Sequence, residues 1–376
     1  MKIVIAPDSF KESLTALEAA EAIEEGFSNV LPNCEFVKVP MADGGEGTVQ
    51  SLVDATKGKI IKKMVMGPLG IPVQGFFGLL GDGKTAVIEM AAASGIHHVS
   101  PEKRNPLVTT TFGTGELILE AMNYGAKTII IGLGGSATND GGAGMAQALG
   151  VRLLDENDKD IGFGGGSLLE LKKIDLSQMD SRIAEVQFIV ACDVDNPLIG
   201  EKGASAIFGP QKGADPETVK RLDQNLAHYA DVIKKYLQKD VAGVPGAGAA
   251  GGMGAGVLAF LSAELKRGID IVIEILQLEK HLEGAALVIT GEGKIDGQTI
   301  FGKTPIGVAK LAKKKGIPVI GLAGFVADDS DKVIDEGIDA LFSIVPGAVS
   351  LEEAITNAYK NLKNTSQNIA RLFKVI

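Results

Sequence analysis

The polar residues of this chain best suited to chemistry lie in loops rich in glycine, each entered from a short apolar run. The run Ile129–Gly142 is the densest: Gly134 and Gly135 are followed by Ser136, Thr138, Asn139 and Asp140. Glycines let a backbone approach a ligand closely and adopt positive φ, and consecutive N–H groups, continued by a helix N-terminus, favour negative charge. A helix over Ala143–Leu149 can supply that continuation. Three more loops share the build: Ala42–Thr48 with Asp43 and Glu46, Ala191–Pro197 with Asp193 and Asp195, and Thr290–Thr299 with Glu292, Lys294 and Asp296. Asp8, Ser9 and Lys11 follow the first apolar run directly. Carboxylates, hydroxyls and lysines on such loops suggest an enzyme that handles phosphate.

Each residue also has a plainer role. Asp8 or Ser9 could cap a helix beginning near Ser13, but Lys11 beside them suits a carboxylate or phosphate ligand. One of Asp43 and Glu46 could cap a helix from Gly47, although two carboxylates among three glycines exceed what a cap needs. Asp193 and Asp195 alternate after the strand Val186–Cys192 and are not expected to enter one pocket; the first is read as a magnesium carboxylate or general base and the second as structural. Glu292, Lys294 and Asp296 would converge if their loop turns. Two motif matches are weak. Gly78–Thr85 fits the Walker A pattern, yet β-branched Thr85-Ala-Val-Ile follows it, so a hairpin turn at Gly81-Asp-Gly83 is expected. Gly246–Gly251 fits GxGxxG without an acidic residue about 20 positions on, leaving a phosphate nest and a close-packing loop equally open. His97, His98, His228 and His281 show no ligand spacing, and Cys34 and Cys192 read as inert thiols.

The elements that must hold these loops alternate in two textures. Residues 1–60 read strand, helix, strand, helix, and the beat returns from 286 onward, with strands at Ala286–Thr290, Pro318–Ala323 and Ala340–Ile344 and a terminal helix at Leu351–Phe373. Alternation of this kind implies a doubly wound parallel sheet with helices on both faces. Between them, Ile60–Met66, Val73–Leu80 and Thr85–Met90 are spaced like antiparallel hairpins, followed by a strand Lys127–Gly132, a long polar connection Asp155–Ser181, a strand Val186–Cys192 and a helix Pro216–Leu237. The expectation is an α/β domain of residues 1–61 and 284–376, interrupted by a mixed α/β domain at 62–283, with the active site in the cleft between them.

A chain of 376 residues is long for one core. Its net charge of −10 and lack of Trp argue against nucleic-acid and anionic-membrane partners. With no long apolar run and two cysteines, a soluble cytoplasmic protein is expected, its oligomeric state, homodimer included, left open.

Seven motifs in order, Ala6–Ala16, Met41–Thr48, Gly132–Gly142, Ala191–Leu198, Phe208–Ala214, Gly248–Gly256 and Thr290–Thr299, resemble those of the bacterial class I glycerate kinases. The resemblance spans essentially the whole chain and implies a flavodoxin/Rossmann-like doubly wound domain interrupted by a second mixed α/β domain. It implies ATP-dependent phosphorylation of D-glycerate with magnesium, usually at the 2-hydroxyl to give 2-phosphoglycerate; 3-phosphoglycerate is the alternative product. Phosphoryl transfer needs positioning and charge stabilisation. On that basis Asp193, Lys11, Asp8 and Ser9 are the expected catalytic group. Ser136, Thr138, Asn139, Gly134, Gly135, Lys294 and Glu292 are expected to bind substrate or phosphate, and Asp43, Glu46 and Asp296 a metal. The rivals, an NAD-dependent hydroxy-acid dehydrogenase and a metabolite-sensing protein, lack respectively a first-turn GxGxxG and a need for so many acidic loops.

Overall fold

The computed structural model describes residues 1–45, 47–300 and 302–375. It divides into two compact units, one of residues 1–57 with Arg267 onward, the other Gly58–Lys266. In chain order the strands are β1 (Lys2–Ile5), β2 (Glu35–Lys38), β3 (Lys59–Met66), β4 (Pro72–Leu79), β5 (Thr85–Glu89), β6 (Thr128–Gly132), β7 (Arg152–Leu154), β8 (Lys173–Asp175), β9 (Gln187–Ala191), β10 (Glu264–Lys266), β11 (Ala285–Ile295), β12 (Val319–Val326) and β13 (Ala340–Ser343).

The first unit is built on a five-stranded, all-parallel sheet in the order β13-β12-β11-β1-β2. Its strand order reverses between β1 and β11, the place where doubly wound sheets open a crevice at their strand C-termini. Ile3, Ile5, Leu287, Ile289 and Leu322 bury the sheet against Ala19, Ile23 and Phe27 of the helix Ala16–Ser28 and Leu362 and Ile369 of the helix Ala358–Val375. Those two helices meet so closely at Gly26 that a Cβ there would lie 2.4 Å from the Lys363 carbonyl oxygen.

The second unit carries a six-stranded sheet in the order β10-β9-β6-β5-β4-β3. The hairpins β3-β4 and β4-β5 are antiparallel, whereas β5, β6, β9 and β10 run parallel. One core lies on this sheet, around Ile88, Ile131, Leu117 and Met253; another surrounds Tyr229 on the helix Pro216–Leu237. The polar connection expected over 155–181 includes a strand, β8, which pairs antiparallel with β7.

The insert runs from 58 to 266, where the sequence suggested 62–283. β3 already begins at Lys59, and the helix Gly268–Ile275 goes with the outer segments. Ile269 fills the space left by Gly307 of the helix Thr304–Lys314, whose added Cβ would lie 2.3 Å from Ile269 Cγ1.

Candidate active site

In the first unit the strand ends gather acids and lysines in one pocket. β1 delivers Asp8, whose N–H donates to the Gly291 carbonyl at 2.8 Å, so the two strand ends are tied together. The Asp8 carboxylate accepts from the Ser9 N–H at 2.6 Å and from the Thr304 hydroxyl at 2.5 Å. It is therefore no helix cap: Thr15 caps the helix from Ala16, in a reciprocal box with Glu18. Burial, then the neighbouring Asp43, push the Asp8 carboxyl up to about 6, against Thr304, the Ser9 amide and Lys11.

Glu292 lies on the partner strand. The Thr290–Thr299 segment does not turn at once as the glycines suggested: β11 continues to Ile295, because Gly291–Ile295 pair in register with Leu322–Val326 of β12. The Glu292 carboxylate accepts from the Thr299 hydroxyl at 3.0 Å and pairs with Lys303 at 3.4 Å. Burial raises its pKa to about 7, with Asp8 adding to the rise and Lys303 and Thr299 opposing it. Asp296 instead pairs with the exposed Lys294 at 2.9 Å, which holds its carboxyl below the usual range. Asp43 and Lys11 line the same pocket as Asp8 and Glu292, and Asp43 Oδ1 accepts from the Gly45 N–H at 2.9 Å. Glu46 lies outside the described residues. Among the described residues no three His, Cys, Asp or Glu side chains are grouped to hold a metal, so Asp43 and Asp296 form no such cage.

In the second unit, β6 runs into exposed Gly134 and Gly135 and then buries Ser136, Thr138, Asn139 and Asp140. Here the anion reading changes. The helix Ala143–Ala148 is short, and its first amides already serve the protein's own groups: Asp140 accepts from the N–H groups of Gly142 at 3.1 Å and Gly144 at 3.3 Å, and Thr111 Oγ1 from Met145 at 2.9 Å. Asp140 also accepts from the Thr111 N–H at 2.8 Å and hydroxyl at 2.9 Å. It is a buried clip for the loop.

The loop holds a lysine that sequence reasoning passed over. Lys212 is 1% exposed, and its ammonium donates to Ser136 Oγ and to the Thr138 carbonyl, both at 2.7 Å. Burial depresses its pKa to about 7, with Asp140 pulling the other way. While protonated, Lys212 has no lone pair, so Ser136 accepts from it and keeps its own hydroxyl hydrogen for another partner. Asn139 donates to Ser205 Oγ at 3.0 Å, while Asn139 Oδ1 and Thr138 Oγ1 are buried without a hydrogen-bond partner. Buried polar atoms left so cost stability and often mark a site. The only hint of Lys212 in the sequence was its place in the motif Phe208–Ala214.

Asp193 and Asp195 follow β9 as exposed residues. Residues two apart in an extended chain share a face, so their spacing gives no reason to separate them. Gly78–Thr85 is the β4-β5 hairpin turn, with Asp82 accepting from the amides of Lys84 and Thr85, both at 2.9 Å. The Gly246–Gly251 loop is close packing: a Cβ on Gly251 would lie 1.9 Å from the Thr138 carbonyl oxygen. His98 and His228 have ring nitrogens at 3.1 and 2.7 Å from the Ala92 and Leu171 carbonyl oxygens. Cys34 and Cys192 are both free thiols. No helix of the described residues is long and apolar enough to cross a membrane.

A model of the glycerate kinase family matches residues 3–374. The chain belongs to the glycerate kinase family. Bacillus subtilis (strain 168) glycerate kinase is 61% identical over 375 residues, covering all of this chain and 98% of that one. Escherichia coli (strain K12) glycerate 2-kinase is 60% identical, covering 98% and 97%. A crystal structure of a Salmonella typhimurium LT2 protein, provisionally named glycerate kinase 2, superposes with a TM-score of 0.93 at 54% identity over all of this chain and 98% of that one.

Proposed function

We propose that this glycerate kinase transfers the γ-phosphoryl group of ATP to the 2-hydroxyl of D-glycerate. The observation that carries the reading is the strand-end pocket of a family member, where Glu292, held near neutrality at about 7, lies with Asp8, Asp43, Lys11 and Lys303. A carboxylate titrating near the working pH suits removal of the acceptor's hydroxyl proton. Glu292 takes that proton, while Lys303 and Lys11 face the charge on the transferred group and on the glycerate carboxylate. Asp8 and Asp43 offer hard oxygen donors that fit magnesium, which is commonly held by one or two carboxylates and the substrate's phosphates. When bound, the ion would neutralise phosphate charge. In the second unit Ser136, oriented by Lys212, and the Thr138 hydroxyl are proposed to bind substrate or phosphate as donors, and the Asn139 amide oxygen, which only accepts, a substrate hydroxyl. Regiochemistry at the 2-hydroxyl is supported by the name of the Escherichia coli relative.

The test is ADP release with D-glycerate and magnesium, followed by phosphorus NMR of the product. Release only when all components are present, with a 2-phosphoglycerate signal, is the expected result. Turnover of glycerate with NAD and not ATP would overturn the assignment, and 3-phosphoglycerate would move the accepting oxygen.

A further inference from the structure

The first unit's pocket has more wall than its acids and lysines use. It encloses about 760 Å³, within the range of small-ligand sites. The sheet order grades its lining. Asp8 and Lys11 follow β1 and Glu292 and Lys294 lie on β11, whereas Phe325 lies on β12 and Ile344, Val349 and Leu351 follow β13. The apolar side is unusually open: Phe325 is 58%, Val349 38% and Leu351 75% exposed. Large apolar side chains grouped at the rim of a charged pocket call for an occupant.

The polar side sets Lys11, Lys294 and Lys303 beside Asp8, Asp43 and Glu292, so an occupant with an apolar end and an anionic end that carries a cation suits both sides. We propose that the β12-β13 side of the pocket takes the purine nucleoside of ATP, with the triphosphate running towards Lys294, Lys303 and Lys11. The proposal rests on the reading of the chain as an ATP-dependent kinase. From β13 to β1 is three strand spacings, roughly 14 Å, a span suited to an extended nucleoside triphosphate. Lys294 is the register partner of Phe325 on the neighbouring strand, which puts a lysine position and a ring position side by side where base and phosphates would join. Phe325 and Leu351 supply the apolar walls, and neither is needed by the core.

The experiment compares wild type with Phe325→Ala, Leu351→Ala and the double variant. It measures KM for ATP, KM for D-glycerate, kcat, inhibition by tripolyphosphate, and saturation-transfer NMR of the adenine protons of ADP. Removing the two walls is expected to raise the KM for ATP about tenfold or more. The adenine saturation signal should fall with it. The KM for glycerate and inhibition by tripolyphosphate, which has the anion without the nucleoside, should stay within about twofold. Leu351 is exposed at the start of a helix capped by Ser350, so the single Leu351→Ala variant keeps its fold and tests the wall even if Phe325→Ala melts early. An unchanged KM for ATP with normal turnover overturns the nucleoside site and leaves the kinase reading intact. Equal losses towards ATP and tripolyphosphate also overturn it. Wild-type protein that releases no ADP with glycerate overturns both.

Discussion

At the scale of residues, two groups have been moved by burial to titrate near neutrality, and they invite different tests. Glu292→Gln keeps the size and the contact with Thr299 but cannot take a proton. Its kcat should fall about 10²- to 10⁴-fold with ATP affinity largely kept. In wild type, kcat/KM should fall as pH drops through about 7, since the base must be deprotonated; a flat profile there would remove Glu292 from proton transfer. Asp193→Asn, in a carboxylate exposed after β9, should cost far less than Glu292→Gln. The reverse ranking would return the base to the residue that sequence reading favoured. Lys212 is a matter of stability as well as positioning. Its folded pKa, about 7, lies below its ordinary value of 10.5, so between these pH values the unfolded chain binds the extra proton and folding becomes more favourable as pH rises. Melting temperatures of wild type and Lys212→Met should therefore shift relative to each other in favour of wild type between pH 7 and 9. A pH-independent difference would mean that the ammonium is not paying for its burial. The placement of Asp8, Lys11 and Glu292 towards strand ends was legible because the apolar runs before them read as strands. Lys212 and Thr304 were not, because burial depends on partners 76 and 296 residues away.

At the scale of elements, glycine placement is the strongest local constraint, and its meaning is visible only once neighbours are known. Gly251 has φ +67°, and its added Cβ would strike the Thr138 carbonyl. Gly251→Ala should destabilise by about 2–4 kcal/mol, through left-handed backbone strain and displacement of the Ser136–Asp140 loop. Gly243→Ala, with nothing within 4 Å, should stay within about 0.5 kcal/mol in chemical denaturation. If both are silent, the loop is not held by this packing. Lys84→Ala should leave ATP affinity unchanged, since the lysine stands in the β4-β5 turn. Strongly periodic segments were legible from sequence: the parallel strands, the hairpins β3-β4-β5 and the helix Pro216–Leu237 are near their expected places. The misses share a cause. β11 runs past its glycines because β12 pairs with them, and β7-β8 is too short to show a period, so in both cases pairing between distant segments settled what local pattern could not.

At the scale of the whole molecule, the insertion leaves each unit with its own sheet and its own buried core. Residues 58–266 begin with β3 at one edge of their sheet and end with β10 at the other. Their cores, around Ile88, Ile131 and Met253 and around Tyr229 and Leu226, are drawn from that segment alone. A segment of this length falls within the normal range of autonomous domains. Expressed alone, 58–266 should give native-like circular dichroism and a single cooperative melt, with the Asp140 clip to Thr111 intact because both residues lie inside it. Slow exchange of the Thr111 amide would report that clip directly. A fragment that melts without cooperativity, or lacks that protection, would show that the flavodoxin-like unit is required for the insert to reach its fold. The Ser136–Asp140 loop would then depend on the complete chain.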